Sequence, residues 1–490
     1  MTSEIYDDIL KKKLSRRKAL STTAKIGITA VVTGIIGGVA GYYAGLSAAP
    51  PAKTVEKTVE RTVTVTASPT VTTPPAKPRI VRFAHYWDPA EPHLKATLEW
   101  AKPIVKKFEE DYNAKVVWEY YRWDEIDPKM ITDLKAGIPH DLTLCSPQYM
   151  ARHRLEKSLL DLSKYVEAQW SKSEIEDFAW SSVWRWVYPL QIPNGVHTRL
   201  VAYRMDMFEE AGLDPKKPPK DLDELIDYAK ALTRDTDGDG KIDVWGLAWE
   251  TGPDRGTIEL FFLPLIWHFG GDAWDPDTKK ATFAEEPGVE AVRFIWDLYY
   301  EHKVVDPATI GLGYSHAIMD TFLAEKVAMA WGFGNYWLKL IQDKGWVENM
   351  IPPSGKARAI KVNFFITPTK PQAQFTNCWS YGIHSLSEEP DLAFELMERF
   401  LAKENILGNA DAGMPARKSH WEELGLAENP VYKVWMEAAA KGRGTPNTAH
   451  YGELADTVYA MIVEIITKKL PIKETMKKYQ DEWNAKYAGE

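Results

Sequence analysis

Four aspartates within residues 235–243 stand at positions one, three, five and nine of a loop whose sixth residue is glycine: Asp235, Asp237, Asp239 and Asp243. Carboxylates at this spacing, with a glycine at the sharp turn, are typical calcium ligands. Position twelve is Gly246, where such a loop usually carries a bidentate glutamate. The pattern therefore predicts either a structural calcium ion held by the four aspartates or an acidic turn without metal.

Motifs for covalent catalysis and phosphate binding are absent from the sequence. It has no Gly-x-Ser-x-Gly elbow, no His-Glu-x-x-His pair and no Gly-x-Gly-x-x-Gly segment after a predicted strand. We therefore predict no catalytic residue and no enzyme. A glycoside hydrolase stays open as an alternative, because two carboxylates at a working distance leave no signature among 69 Asp and Glu.

Aromatic residues and net charge limit the kind of partner. The chain has 20 Trp and 22 Tyr, and flat rings with one polar atom suit the faces of sugars, although most such rings pack in cores. A net charge of -9 provides no basic surface for phosphates, which excludes nucleic acid as a partner. Cys145 and Cys378 are too few for a disulfide scaffold or a cysteine-built zinc site.

The N-terminal residues predict export. Residues 26–46 are uncharged and about as long as the ~20 residues that a membrane-spanning helix needs. The preceding residues 1–25 are basic, which keeps them in the cytoplasm and directs the rest of the chain outward. Arg16 and Arg17 resemble a twin-arginine export signal, with Ala19 where an aromatic residue is usual. Segment 26–46 is either a cleaved signal or a retained membrane anchor.

Residues 47–79 are rich in Thr, Val, Pro and Lys and cannot build a core, so we expect a disordered linker or stalk. Hydrophobic periodicity then predicts strands at 80–86 and 116–121 with a helix at 94–108 between them. This is a βαβ unit, and its parallel sheet places a ligand site at the carboxyl ends of the strands. Further helices are predicted after Asp221, at 289–300 and at 392–401. The fold class is α/β.

Four segments in a fixed order resemble the extracellular solute-binding proteins of the maltose- and oligosaccharide-binding type: LKAGIPHD at 134–141, VAYRMDMFEEAGL at 201–213, Ala328-Met329 ahead of Gly334, and MPAR at 414–417. The sequence departs from the family pattern at His140, which is inserted before the aspartate, and at Arg204, where Asn is common. The resemblance covers roughly 400 residues from Ile80 onward.

The resemblance implies a two-lobed, periplasmic-binding-protein-like fold of type II, which closes on a ligand about a hinge that the chain crosses three times. Lobe one is expected at about 80–196 and 379–430, and lobe two at about 197–378 and 431–490. The implied function is carbohydrate binding outside the cytoplasm and delivery to the permease subunits of an ABC importer. Cys145 and Cys378 lie on strands that are neighbours in relatives, so a disulfide and two buried thiols are both open.

The resemblance also implies which residues face the cleft, where rings stack on sugars while carboxylates and amides bind the hydroxyl groups. These candidates lie at strand ends and hinge crossings: Trp87, Asp88, Ser146, Gln148, His197, Tyr336, Trp337, Trp379, Tyr381, Arg417 and Tyr451. Trp87 and Trp337 are expected to hold the ligand from opposite sides, and packing of both rings in separate cores would contradict that expectation.

Two other functions are open at this point. Abundant carboxylates are compatible with a surface-anchored glycoside hydrolase, which would release product from the sugars that it binds. The predicted stalk is compatible with a cell-surface structural or adhesion protein, which would self-assemble through its folded region.

Overall fold

The computed structural model describes residues 77–489 apart from 252–255, 314, 371–372, 407 and 410–412. The predicted basic segment 1–25, the hydrophobic segment 26–46 and all but the end of the linker lie outside the described residues. Residues 75–490 form one unit of the chain. Within the described ranges, none of the helices combines the length and the apolar character needed to span a bilayer.

Strands and helices alternate along the folded region. The strands are β1 (Arg79–His85), β2 (Ala114–Tyr120), β3 (Leu142–Cys145), β4 (Ile192–Pro193), β5 (His197–Arg204), β6 (Trp245–Ala248), β7 (Trp274–Asp275), β8 (Lys280–Ala281), β9 (Val327–Gly334), β10 (Val347–Glu348), β11 (Arg358–Ala359), β12 (Val362–Phe365), β13 (Thr376–Asn377) and β14 (Ser380–Ile383).

The α-helices in the described residues are α1 (Pro92–Tyr112), α2 (Ile126–Ala136), α3 (Met150–Glu156), α4 (Ser163–Gln169), α5 (Lys172–Phe178), α6 (Ser182–Val187), α7 (Met205–Glu210), α8 (Leu222–Leu232), α9 (Leu263–His268), α10 (Glu286–Tyr300), α11 (Thr321–Leu323), α12 (Leu338–Asp343), α13 (Pro390–Leu401), α14 (Lys403–Ile406), α15 (Lys418–Glu423), α16 (Pro430–Lys441), α17 (Tyr451–Lys468) and α18 (Ile472–Tyr487). Short π-helical turns occur at Thr257–Phe262 and Ser315–Asp320, and 3-10 turns at Pro147–Tyr149, Pro307–Thr309 and Asn335–Trp337.

The first sheet, which defines lobe one, has the strand order β2-β1-β3-β14-β4. β1 pairs in parallel with β2 and β3, whereas β14 runs antiparallel to both β3 and β4. Helices α1 and α13 cover this sheet, and Val81, Phe83, Phe108, Phe394 and Phe400 are fully buried or nearly so in its core. The βαβ unit predicted from the sequence is confirmed.

The second sheet, which defines lobe two, has the order β12-β5-β9-β6, with β13 also paired to β5. β5 is antiparallel to β9 and β12, and β6 is parallel to β9. The core of this lobe includes the apolar π-turn and α9, together with faces of α8, α10 and α17. Asp221 caps α8 by accepting a hydrogen bond from the backbone N–H of Glu224, as the sequence predicts.

The chain passes between the lobes at β4 to β5 and at β13 to β14. Around the third expected passage, Met414 and Trp421 belong to the core of lobe two, whereas Ala416 between them belongs to the core of lobe one. The sequence-based lobe boundary at residue 431 stays a prediction. A small apolar cluster joins these passages: Met150, Val183, Val187, Val196, Cys378 and Ala439.

Candidate functional site

Two aromatic rings meet at the edge of lobe one where β1 ends and β14 begins. The rings of Tyr86 and Trp379 stack with centroids 3.9 Å apart and planes at 31°. Because β3 lies between β1 and β14 in the sheet, this pair bridges the carboxyl end of β3. Tyr86 is only 3% exposed, whereas Trp379 is partly exposed. Trp379 is therefore the ring of the pair that a ligand can reach.

Buried polar groups lie beside this ring pair. Ser146 follows β3, and its Oγ has no hydrogen-bond partner among the described residues. Asn194 donates its backbone N–H to the carbonyl of Trp379 at 3.0 Å. Its side chain is 0% exposed, and neither amide atom finds a partner in the part of the chain that the structure describes. Burying such groups unpaired costs about 1–3 kcal/mol each, which a ligand with hydroxyl groups can offset.

Lobe two contributes buried polar residues beside the passage of the chain from β4 to β5. His197 begins β5 and Asn335 follows β9, and both side chains are buried. Gly413 packs against both: its φ is +79°, and a Cβ there would lie 2.3 Å from Nδ2 of Asn335 and 3.0 Å from Cδ2 of His197. This close approach requires glycine, because any side chain would displace the two polar groups.

Two predicted residues, Gln148 and Tyr451, form a hydrogen-bond network across the lobes with Glu259, which was not predicted. Nε2 of Gln148, on the turn after β3, donates to both carboxylate oxygens of Glu259 at 2.8 and 3.0 Å. The Tyr451 hydroxyl donates to Oε1 of Glu259 at 3.0 Å. Glu259 is only 6% exposed and lies on the π-turn of lobe two. The structure thus brings Gln148 and Tyr451 together through a carboxylate that sequence analysis did not select.

Three predicted ring residues lie in cores. Trp87 is 0% exposed and packs edge-on against Phe83 and Phe400, with centroids 5.4 and 6.1 Å away. Trp337 is 5% exposed, belongs to the core of lobe two and packs edge-on against Phe333. Tyr381 lies within β14 and stacks on Phe400. Trp87 and Trp337 are thus buried in separate cores, so this arrangement gives no sandwich of a ligand between those two rings.

The remaining predicted residues lie elsewhere. Asp88 accepts hydrogen bonds from the backbone N–H of Ala90 and from the hydroxyl of Tyr120, which lower the pKa of its carboxyl. The guanidinium of Arg417 lies over the rings of Phe178 and Trp170, at 4.7 and 5.6 Å. That stack is on lobe one beside α5. The side chain of Tyr336 lies outside the described residues.

A buried histidine lies among the core rings at the end of β1, in contact with Phe83 and Trp87. His85 ends β1 and accepts, through Nδ1, a hydrogen bond from the backbone N–H of Trp87 at 3.2 Å. Burial lowers the pKa of His85 to about 4, so the imidazole is neutral at neutral pH and free to accept that bond.

The predicted calcium loop folds into a tight acidic turn. Ligand atoms of Asp235, Asp237 and Asp239 lie within 4.8 Å of one another on the surface. Asp235 accepts from the backbone N–H groups of Gly240 and Gly238, which lower the pKa of its carboxyl. The Asp243 carboxylate accepts from the hydroxyl and N–H of Thr236 instead. Three of the four predicted aspartates therefore bring their carboxylates together in one place, and Asp243 lies in the same loop with Thr236 as its hydrogen-bond partner.

Both cysteines are buried free thiols. The Cys145 thiol points toward the carbonyl of Thr143, and the Cys378 Sγ lies 3.1 Å from Oγ of Ser380. Burial raises the pKa of both thiols above the usual range, which makes them unreactive.

The folded region is similar to the proteins of a known family. A model of the family described as bacterial extracellular solute-binding protein matches residues 92–406, more than half of the chain. The chain belongs to the bacterial extracellular solute-binding proteins. This solute-binding protein is 27% identical over 365 residues to the diacetylchitobiose binding protein DasA of Streptomyces coelicolor, which covers 71% of this chain and 76% of that protein.

Solved structures share its two-lobed fold. An ABC transporter solute-binding protein from Thermotoga lettingae, bound with alpha-D-tagatose, superposes with a TM-score of 0.67 at 22% identity and covers 83% of this chain and 99% of its own. Maltose-bound MalE3 of T. maritima superposes with a TM-score of 0.64 at 20% identity, with the same coverage of 83% and 99%. The two-lobed fold expected from the sequence is therefore confirmed.

Proposed function

We propose that this solute-binding protein takes up a carbohydrate between its lobes, outside the cytoplasm, and hands it to the permease subunits of an ABC importer. The observation that carries this proposal is the Tyr86–Trp379 ring pair beside the buried side chains of Asn194 and Ser146, whose polar atoms find no partner among the described residues. A ring face and several hydrogen-bonding groups within one cleft are what a polyhydroxylated ring with apolar faces needs.

The relatives support a sugar over other small molecules. The curated relative is named for diacetylchitobiose, and the two structural relatives hold alpha-D-tagatose and maltose. These ligands share ring hydroxyl groups but differ in size and linkage. They therefore support the chemical class of the ligand for this chain and leave its identity to experiment.

The hydrolase alternative has less support. The buried carboxylate of Glu259 is held by Gln148 and Tyr451 and serves as a hydrogen-bond acceptor across the lobes. Family membership supports binding without turnover. The adhesion alternative has no support in the residues of the candidate site, because buried polar side chains do not serve self-assembly.

The folded region and the N-terminal segments of the protein have separate locations. The family is extracellular, so the folded region works outside the cytoplasm. We propose that the uncharged segment 26–46, behind the basic residues 1–25, anchors the chain in the membrane and that residues 47–79 act as a spacer. A retained anchor keeps the binding lobes near the permease.

A panel of sugars tests the proposed function. The purified protein is heated with maltose, maltodextrins, diacetylchitobiose, chitooligosaccharides and alpha-D-tagatose, with amino acids and peptides as the comparison set. We expect at least one saccharide to raise the melting temperature and quench Trp fluorescence, because a ligand that binds only the folded state stabilises it. A shift with peptides alone would overturn the proposal. Intact saccharide after long incubation excludes the hydrolase, and a monomer by light scattering excludes the adhesion protein.

A further inference from the structure

Two groups of three metal-ligating side chains converge in the part of the chain that the structure describes. One is the exposed acidic turn. The other, which we name the buried cluster, consists of Asp127, Cys145 and His153, whose ligand atoms lie within 4.8 Å of one another. All three side chains are at most 1% exposed. None of them belongs to the candidate sugar site, so the buried cluster needs an explanation of its own.

Three neighbouring elements of lobe one supply the buried cluster. Cys145 is the last residue of β3, Asp127 lies in the first turn of α2, and His153 lies in α3. Gly382 on β14 leaves room for the sulfur, because a Cβ there would lie 3.1 Å from Sγ of Cys145. Ligand atoms around one zinc ion lie roughly 3–4 Å apart, since its bonds are about 2.0–2.3 Å long. Small side-chain rotations therefore suffice to place the three ligand atoms around one ion.

Hydrogen bonds already orient two of the three ligands. Nδ1 of His153 lies 2.6 Å from Oγ of Ser158, and Nε2 lies 2.7 Å from Oδ1 of Asp127. The Asp127 carboxylate also accepts the backbone N–H of Ser146, at 3.1 Å to Oδ2. A histidine that ligates a metal usually has its other ring nitrogen fixed by such a partner. Ser158 provides that partner and directs Nε2 into the buried cluster.

Charge and ligand type select the ion. A thiolate and a carboxylate carry two negative charges, and a divalent cation balances both while the imidazole stays neutral. This balance matters because a charge buried without compensation is costly. A sulfur, a nitrogen and an oxygen ligand suit zinc and cobalt, whereas calcium and magnesium take oxygen ligands. The buried cluster and the acidic turn therefore differ in the metals that they fit.

We propose that Asp127, Cys145 and His153 bind one Zn²⁺ ion, which ties the end of β3 to α2 and α3. Binding releases the thiol proton of Cys145 to solvent, and the neutral imidazole of His153 carries its proton on Nδ1, where Oγ of Ser158 accepts it. Three protein ligands leave a fourth position of the tetrahedral ion for a water molecule. This inference does not depend on which solute the protein carries.

Cobalt substitution tests the proposal, because a cobalt–thiolate bond absorbs in the near ultraviolet and four-coordinate cobalt absorbs strongly in the visible. The full-length protein is unfolded in guanidinium with a chelator, freed of both and refolded with Co²⁺. We expect one Co²⁺ per chain with both absorptions, and Zn²⁺ should displace it and remove them. Protein purified from zinc-supplemented cells should contain one zinc ion per chain by elemental analysis.

Matched variants assign the absorption to the buried cluster. Cys145→Ser should abolish the thiolate band, whereas Cys378→Ser, which removes the other buried thiol, should retain it. Ser158→Ala should keep the band but weaken cobalt binding roughly 10–100-fold, because Ser158 only positions His153. Asp239→Asn changes the acidic turn and should leave the spectrum unaltered.

The wild-type protein can overturn the proposal without any variant. No thiolate band after refolding with excess Co²⁺, together with no zinc in the protein from supplemented cells, would show that the buried cluster binds no metal of this class. A band that survives in Cys145→Ser or disappears in Cys378→Ser would assign the metal to a different place. If Cys145→Ser does not fold, loss of the visible absorption in His153→Gln supports the site and its retention contradicts it.

Discussion

Gln148 of lobe one and Glu259 of lobe two are joined by a side-chain hydrogen bond, with Nε2 of the amide 2.8 and 3.0 Å from the two carboxylate oxygens. Glu259 is almost fully buried at this junction. A carboxylate exposed by opening of the lobes would regain water, whereas the closed arrangement replaces that water with Gln148 and Tyr451. The pair therefore links closure of the cleft to the solvation of one charge.

The first prediction concerns the hydrogen bond between Gln148 and Glu259. Gln148→Ala removes the donor from lobe one, and hydrogen bonds to charged groups contribute about 1.5–3 kcal/mol. Part of that free energy favours the closed state, so we expect saccharide affinity to fall roughly tenfold. Calorimetry measures the change, and Gln169→Ala, which truncates an exposed glutamine at the end of α4, is the matched control. Equal affinity of Gln148→Ala and wild type would show that the bond does not favour closure.

The second prediction concerns the reachable ring. Trp379→Ala removes the partly exposed member of the Tyr86 pair, and we expect loss of at least tenfold in affinity for every saccharide that binds, with Trp379→Phe intermediate. Trp296→Ala truncates a partly buried tryptophan that packs on Tyr300 in lobe two, and it should bind normally. Normal saccharide binding by Trp379→Ala would show that the ligand does not contact this ring.

The third prediction concerns acid stability. Burial lowers the pKa of His85 to about 4, from an ordinary value of 6.5. Between pH 6.5 and pH 4 the unfolded chain takes up a proton that the folded chain does not. Titration of His85 therefore leaves the free energy of unfolding unchanged above pH 6.5 and lowers it as the pH falls toward 4. The total loss of unfolding free energy from this one group is about 3 kcal/mol.

Urea unfolding at pH 7 and near pH 4 measures this loss. His85→Gln keeps a polar side chain but removes the titration, so its free energy of unfolding should fall less on acidification than that of wild type, by up to about 3 kcal/mol. Identical losses in the two proteins would mean that His85 is not kept neutral by burial.

The fourth prediction concerns the acidic turn. Asp235, Asp237 and Asp239 bring three carboxylates within reach of one cation, and we propose that they hold calcium as a structural ion. Calcium should raise the melting temperature and EDTA should reverse the rise, while Asp239→Asn should remove the response. Asp277→Asn, in the acidic turn between β7 and β8, should retain it. A melting temperature that is the same in calcium and EDTA would contradict the proposal.

The sequence predicted the fold well because strand and helix periodicities are local signals. The predicted strand at 80–86 is observed as Arg79–His85, and the helices predicted at 289–300 and 392–401 lie within Glu286–Tyr300 and Pro390–Leu401. The order of family segments then supplied the second lobe. The lobe boundary near residue 431 stays a prediction, because apolar residues such as Met414, Ala416 and Trp421 give no sign in the sequence of which of two cores they enter.

Site residues were harder to predict because neighbouring residues of a strand point in opposite directions. Phe83, His85 and Trp87 share the face that enters the core, as their ring contacts show, so the ring pair at the cleft is made by Tyr86. Counting by twos from the buried Phe83 would have found this. Glu259 also had a signal, since it is the single charge in the apolar segment 257–267.

Closure of the two lobes on a carbohydrate changes the shape of the protein, and small-angle X-ray scattering during a saccharide titration measures that change. With the saccharide that gives the largest thermal shift, we expect a radius of gyration that falls and saturates at one ligand per chain. Scattering curves that stay identical from zero to saturating saccharide would contradict closure of the lobes on a bound sugar.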